Sequence, residues 1–507
     1  MGSQLSVVFV NADSSGAAYQ DLAKTYAAIE PPTWSLLLAQ SCQAAGFSCA
    51  IVDATAERLT HEQVGERLIE LDPRLVCFVV YGQNPNSGTL NMTGNLECCQ
   101  ILKQAWPEAV TCFVGSHSSA LPKEVLAHGC VDIVLLNEGV YALRNLLASD
   151  LGHDLKKIKG IGHKRDGVPV LNAPEQVVPS ERMDVDLPGY AWDLLPYDKR
   201  PLDLYRAHFW HAGYDHAKRT PFAALYTSLG CRFKCDFCMI NIVNRIDNGD
   251  EVDASHSAGM RFWSADLMVK EFQKLADMGV ERVRISDEML FLDRRHFEPM
   301  LTGIVEADLG LKMWGYSRVD TVREKFLELF ADAGIEWLAV GIEAGNREVR
   351  REVSKGTFKL EDVTDVVTLI QSAGISVASN FIFGFPDDTF ETMVQTRDLA
   401  LELCCEMANM YPCQALPGSP LHWEAIRNGW KLPDSYAGYG FLSYDAQPLP
   451  TKHVSAAEVL KFRDQAWMDY HTNGPFLNLV EKKFGDVART GIEDLTKVKL
   501  RRRLLGD

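Results

Sequence analysis

The chain reads as an α/β protein: a doubly wound, Rossmann-like parallel sheet, then a partial (β/α)6 TIM-type barrel, then a small, mostly helical C-terminal region. Three observations predict this. Two separate stretches alternate short apolar runs with amphipathic segments, the pattern of parallel strands joined by helices. Between them lies a proline-rich stretch in which the alternation dissolves. The length, 507 residues, exceeds what one core ordinarily serves.

Residues 1–150 form the first unit. Strand-like runs fall at 5–10, 48–52, 75–81, 110–114 and 133–136, continuous in Val, Ile, Leu and Phe as strands covered on both faces require. Helix-like segments at 32–45, 61–71, 93–105, 122–128 and 140–147 separate them, the first stopped by Gly46. Sheets of this kind receive ligands beyond the carboxyl ends of their strands. Residues 151–220 read as a linker. A hairpin over 158–172 turns at Asp166 and Gly167, and Pro174, Pro179, Pro188, Pro196 and Pro201 make the rest extended and too proline-rich for a core. Phe209, Trp210 and His211 are placed to reach a cavity of the next unit.

Residues 221–420 form the barrel unit, with runs at 222–227, 283–286, 312–316, 337–342, 375–383 and 407–411. Six β/α units imply a full or partial barrel with its chemistry at the carboxyl ends of the strands. The clearest helix starts from Ser264 as N-cap and stops at Gly279. Residues 421–507 carry one predicted helix, at 455–470, and aromatic candidates to enclose a substrate, Tyr436, Tyr439, Phe441 and Tyr444.

Composition narrows the function. A net charge of −17 argues against nucleic acid, whose binders draw affinity from a basic surplus. The basic run from Lys497 to Arg503 reads as a solvated tail. No apolar run spans a bilayer and the N-terminus lacks a signal peptide, so the expectation is a cytoplasmic protein without membrane contact. Of thirteen cysteines, ten lack ligand spacing and read as structural: Cys42, Cys49, Cys77, Cys98, Cys99, Cys112, Cys130, Cys404, Cys405 and Cys413. Three remain.

Cys231, Cys235 and Cys238 follow the first barrel strand with C-x3-C-x2-C spacing. One compact loop can aim three thiolates at one cubane, leaving the fourth iron open. A structural zinc would want a fourth ligand close by, and the nearest downstream histidine is His256. Chance clustering, or a zinc site completed from afar, is the competing reading.

The triplet resembles that of the radical S-adenosylmethionine superfamily, with Phe237 as the aromatic before the last cysteine. The resemblance implies a [4Fe-4S] cluster on the three cysteines. Its open iron would bind S-adenosyl-L-methionine (SAM), and one electron from an external donor of flavodoxin or ferredoxin type would yield a 5′-deoxyadenosyl radical. Later positions match the family's SAM-binding ones. Ser286, Asp287 and Glu288 end the second barrel strand, where an acid accepts the ammonium group; the glycines usual there are missing. Arg318 matches a partner for the methionine carboxylate, and Glu343 the fourth-strand acid. Asn380 and Gly384 lie in the fifth-strand motif that flanks the adenine.

With a doubly wound domain ahead of the barrel, the chain resembles the cobalamin-dependent branch. Matching pieces are Tyr81, Gly82, Gln83 and Asn84 after the third strand, Gly115, Ser116 and His117 after the fourth, and Glu138 and Gly139 after the fifth. Small residues there would let backbone approach a flat ring and its nucleotide tail. The Asp-x-His-x-x-Gly motif that supplies a lower cobalt ligand is absent. A flavodoxin-like domain binding a flavin or nothing is the alternative. The implied activity is methylation of an unactivated carbon, or a phosphinate phosphorus, of a small molecule: the radical takes a hydrogen and the substrate collects a methyl group from cobalamin. Rivals are a cobalamin-dependent oxidase, cyclase or rearrangement enzyme without methyl transfer, and a tRNA-modifying radical enzyme. The latter would carry a second cysteine trio, for which Cys42, Cys49 and Cys77 are a poor substitute.

Overall fold

Valine-rich runs covered on both faces build the first sheet. The computed structural model describes residues 4–149, 151, 154–247, 257–352 and 360–507. Strands β1 (Val7–Asn11), β2 (Cys49–Asp53), β3 (Val76–Val80), β4 (Thr111–Gly115) and β5 (Ile133–Leu135) run parallel in the order β2-β1-β3-β4-β5. Every residue of β3, β4 and β5 is buried, which is why these strands read as unbroken apolar runs. The strand order reverses between β1 and β3, the place where such sheets hold ligands.

The hairpin assigned to the linker instead completes this sheet. β6 (Ile161–Arg165) and β7 (Val168–Leu171) pair antiparallel beyond β5. The proline-rich remainder also departs from expectation. Met183, Leu187, Tyr190, Trp192, Tyr205 and Phe209 are buried in one apolar cluster that runs from the first sheet into the barrel. Prolines removed the periodicity but left the large apolar side chains, and those decide burial.

The second sheet begins with β8 (Phe222–Leu225). A ribbon of β9 (Ser228–Leu229) and β10 (Arg261–Phe262) follows at its carboxyl end. Then come β11 (Arg282–Ile285), β12 (Lys312–Arg318), β13 (Ile335–Glu343), β14 (Ser376–Phe383) and β15 (Met407–Pro412), all parallel in the order β8-β11-β12-β13-β14-β15. Six parallel strands in chain order make the partial barrel. Trp210 closes its floor, 4.9 Å from the rings of both Trp314 and Trp337 near the starts of their strands. Residues 209–211 therefore lie at the end opposite the cysteine loop and do not reach a cavity there.

The C-terminal region contains helices Ala456–His471, Gly474–Phe484 and Asp486–Leu495. Its basic end is not wholly solvated. Arg502 is buried and pairs with both carboxylate oxygens of Asp464 at 2.8 Å. Nine of the ten cysteines set aside as structural are buried; Cys404 is half-buried. No helix among the described residues is long and apolar enough to cross a membrane.

Candidate active site between the two sheets

Glycine makes the turn that launches the cysteine loop. Gly230 has φ +87°, and a Cβ there would stand 2.3 Å from Asn244 Nδ2 and 2.6 Å from the Gly259 carbonyl oxygen. Cys231 follows. Its backbone is fixed by one carboxamide: Asn241 Oδ1 accepts the Cys231 N–H at 3.0 Å, and Nδ2 donates to the Cys231 carbonyl at 2.9 Å. The Cys238 N–H closes a turn on the Cys235 carbonyl at 3.0 Å. Phe237 packs against Phe385 at 5.5 Å.

The thiols share one environment. Burial, and then the neighbouring Cys235 and Cys231, push the Cys238 thiol well above its ordinary range, with Glu288 adding to the effect. Ionised sulfurs here call for a cationic centre, so the donor set fits an iron cluster. No three His, Cys, Asp or Glu side chains among the described residues are set to hold a single metal ion.

Two residues expected to bind ligand are committed to this loop. Asp287 is fully buried, accepting Thr227 N–H and Ser228 Oγ at 2.5 Å and Thr227 Oγ1 at 2.7 Å. It fixes the path from β8 into the cysteines. Arg318 forms a two-pronged pair with Asp320 at 2.9 Å and lies 3.7 Å over the ring of Phe233, inside the loop. Both brace the loop. Their neighbours differ. Ser286 Oγ is buried without a partner, and the partly buried Glu288 carboxylate makes no hydrogen bond among the described residues. Burial pushes Glu288 up to about 8 against the pull of Arg284, with Asp287 raising it further.

The other barrel positions line the same end. Glu343 is buried at the end of β13 with φ +70°, a conformation rare outside glycine. Asn380 bridges strands, accepting from Asn409 Nδ2 at 3.1 Å. Gly384 has φ +85° and donates its N–H to Asp388 at 3.0 Å.

On the first sheet the expected residues divide. Tyr81 stacks on Trp34 at 4.6 Å and meets Tyr226, at the end of β8, edge-on at 6.3 Å. The half-buried amide of Gln83 makes no hydrogen bond among the described residues. Others are taken up internally. A Cβ on Gly115 would sit 2.0 Å from the Val80 carbonyl oxygen, one on Gly82 2.4 Å from Asn91 Nδ2, and one on Gly139 2.8 Å from Val114 Cγ2. At each of these glycines backbone packs closely against the protein itself. Asn84 caps Asn86 N–H at 3.0 Å, and Ser116 Oγ donates to the Pro85 carbonyl at 2.6 Å. His117 has both ring nitrogens engaged, with Thr89 at 3.0 Å and Glu124 at 3.4 Å. Glu138 accepts the Val178 N–H and pairs with Arg261 of β10 at 2.8 Å, both side chains buried.

Sequence reasoning missed Ser118, whose buried Oγ has no partner among the described residues, and Asn86, whose amide lies 3.8 Å from Cys238 Sγ. Neither stands in a spacing that marks it. With Gln83, Ser118 leaves polar groups available at the carboxyl end of the first sheet. A large polar ligand fits there better than an apolar one.

Comparison with known proteins agrees with this division. The family model described as Radical SAM superfamily matches residues 225–400, and the B12 binding domain model matches residues 19–147. An uncharacterized methyltransferase of Pyrococcus horikoshii is 24% identical over 424 residues, covering 83% of each chain. An anaerobic magnesium-protoporphyrin IX monomethyl ester cyclase of Rubrivivax gelatinosus is 26% identical, covering 78% of this chain and 66% of its own. Among solved structures, the radical S-adenosylmethionine methyltransferase TsrM from Kitasatospora setae, with cobalamin and [4Fe-4S] cluster bound, shares the fold. Its TM-score is 0.68 at 18% identity, over 98% of this chain and 99% of that one. The cobalamin-dependent enzyme OxsB gives the same TM-score at 15% identity, over 96% and 72%.

Proposed function

Because the chain is a radical S-adenosylmethionine enzyme that also carries a B12-binding domain, we propose that it methylates an unactivated carbon of a small molecule in the cleft between its two sheets. When bound, the cluster and SAM supply a carbon radical and cobalamin supplies a transferable methyl group. One observation carries the reading. Tyr81, beyond β3, meets Tyr226, beyond β8, edge-on at 6.3 Å, and Asn86 Oδ1, on the loop after β3, accepts the Met239 N–H beside Cys238 at 3.0 Å. The carboxyl end of the first sheet thus touches the cysteine loop of the barrel. Groups held at these two ends would lie close together, as a transfer between them requires.

The residues take the following parts. Cys231, Cys235 and Cys238 hold the cluster. Glu288 and Ser286 keep polar atoms for the cationic end of SAM, while Asp287 and Arg318 hold the loop in place. Glu343, Asn380 and Gly384 shape the wall for the rest of that molecule. Gln83 and Ser118 meet cobalamin, and His117, committed to Thr89 and Glu124, supplies no ligand to cobalt. Tyr226, buried, and Tyr316 and Tyr411, half-buried, stand at or near the strand ends and would exclude water around a reactive radical. An external one-electron donor of flavodoxin or ferredoxin type reduces the cluster.

The relatives named as cyclases favour a second reading, an oxidative cyclisation without methyl transfer. Anaerobic incubation of the reconstituted enzyme with methyl-labelled SAM and candidate substrates separates the two. Methylation gives 5′-deoxyadenosine together with label in the product. Formation of 5′-deoxyadenosine with an unlabelled, oxidised product would favour the cyclase, and label transfer without 5′-deoxyadenosine would contradict both.

A further inference from the structure

We propose that Asn86, carried by the first sheet, donates a hydrogen bond to the cluster-ligating sulfur of Cys238 and so raises the cluster's reduction potential; this rests on the cluster assignment above. The amide is oriented by its other end. Asn86 Oδ1 accepts the Met239 N–H at 3.0 Å, which turns Nδ2 toward Cys238 Sγ at 3.8 Å. The opposite polarity, Sγ–H donating to Oδ1 at 3.9 Å, needs a thiol proton that a ligating thiolate has lost.

The loop carrying Asn86 is held from three sides. Asn84 Oδ1 accepts the Asn86 N–H at 3.0 Å, Ser116 Oγ donates to the Pro85 carbonyl at 2.6 Å, and Asn91 Nδ2 donates to the Ser87 carbonyl at 3.2 Å. Gly88 lets Ser116 come close, since a Cβ there would stand 1.9 Å from its Oγ. Residues of β4's end and of the helix after β3 therefore fix the height of one amide over one cysteine of the other unit. An N–H aimed at a ligating sulfur favours the more negative, one-electron-reduced cluster. The first sheet would then tune how readily the cluster accepts its electron from the external donor.

Potentiometric titration of the reconstituted holoenzyme, followed by electron paramagnetic resonance, tests this with two variants. Asn86→Asp keeps an oxygen for the Met239 N–H and replaces the N–H donor with a carboxylate. Asn86→Leu removes donor and acceptor without adding charge. Both should retain iron and show a more negative midpoint, on the order of a tenfold fall in the reduced-to-oxidised ratio at the wild-type midpoint, which is about 59 mV for a one-electron couple. An unchanged midpoint in both overturns the proposal. So does a fall in only one, charge being the cause if it is the Asp variant and the lost Met239 anchor if it is the Leu variant. Should both come without iron, Asn84→Ala, which frees the loop without touching the sulfur, is expected to shift the midpoint with the same sign, and no shift overturns the proposal. A wild-type enzyme with no reducible cluster would instead sink the cluster assignment.

Discussion

At the scale of single residues, the carboxylates at the end of β11 show how neighbours in sequence acquire different tasks. Asp287 accepts three hydrogen bonds from Thr227 and Ser228, whereas the half-buried Glu288 carboxylate makes no hydrogen bond among the described residues. Glu288 holds its proton up to about pH 8 in the folded protein, but releases it near its ordinary, lower value when unfolded. Between those values the folded state binds more protons than the unfolded one, so this residue makes stability fall as pH rises toward 8. Cofactor-free Glu288→Gln should lose that part of the decline in unfolding profiles taken from pH 5 to 8. A slope identical to wild type would show that Glu288 is solvated and ordinary. The cysteine triplet was legible in sequence because its geometry is local, three ligands within eight residues. The division between Asp287 and Glu288 was not, because it depends on where β8 passes. Asn86 was invisible for the same reason: its partner lies 152 positions away.

At the scale of elements, the parallel strands could be read almost directly, since burial on both faces leaves no other pattern for them. The connector could not. Its prolines signalled an extended path, but the chain there winds through short helical turns at Ser180–Arg182, Met183–Asp186 and Trp192–Leu194, and it buries Tyr205, Phe209 and Trp210. The hairpin was recognised as a hairpin, and its pairing with β5 is a long-range choice that its turn residues do not encode. The glycines after the strands teach a related lesson. Gly115 has φ +137°, and its α-carbon faces the Val80 carbonyl. Gly115→Ala would drive a methyl group into that backbone at the join of β3 and β4, at a cost on the order of 3 kcal/mol. Urea unfolding should show the variant giving way well before wild type. Equal midpoints would mean the two strand ends can part freely.

For the whole molecule, the matter is how two sheets that fold from separate stretches come to share one site. The connector's aromatic residues join their cores, and two buried ion pairs cross between them. Glu138 meets Arg261 at 2.8 Å, and Glu30 meets Arg284 at 2.5 Å with His208 at 2.9 Å on the same carboxylate. Paired charges this far from water tolerate little misalignment, so they fix relative orientation more than they add stability. With orientation fixed, Tyr81 meets Tyr226 and Asn86 meets the Met239 N–H, and the proposed methyl donor on one sheet would face the proposed radical source on the other. Electron paramagnetic resonance of the holoenzyme, with the cluster reduced and cobalamin in its paramagnetic Co(II) form, tests this most directly. If the two centres open onto one cleft, their spins interact and both spectra broaden or split relative to samples holding either centre alone. Spectra that are the plain sum of the separate centres would contradict a shared site.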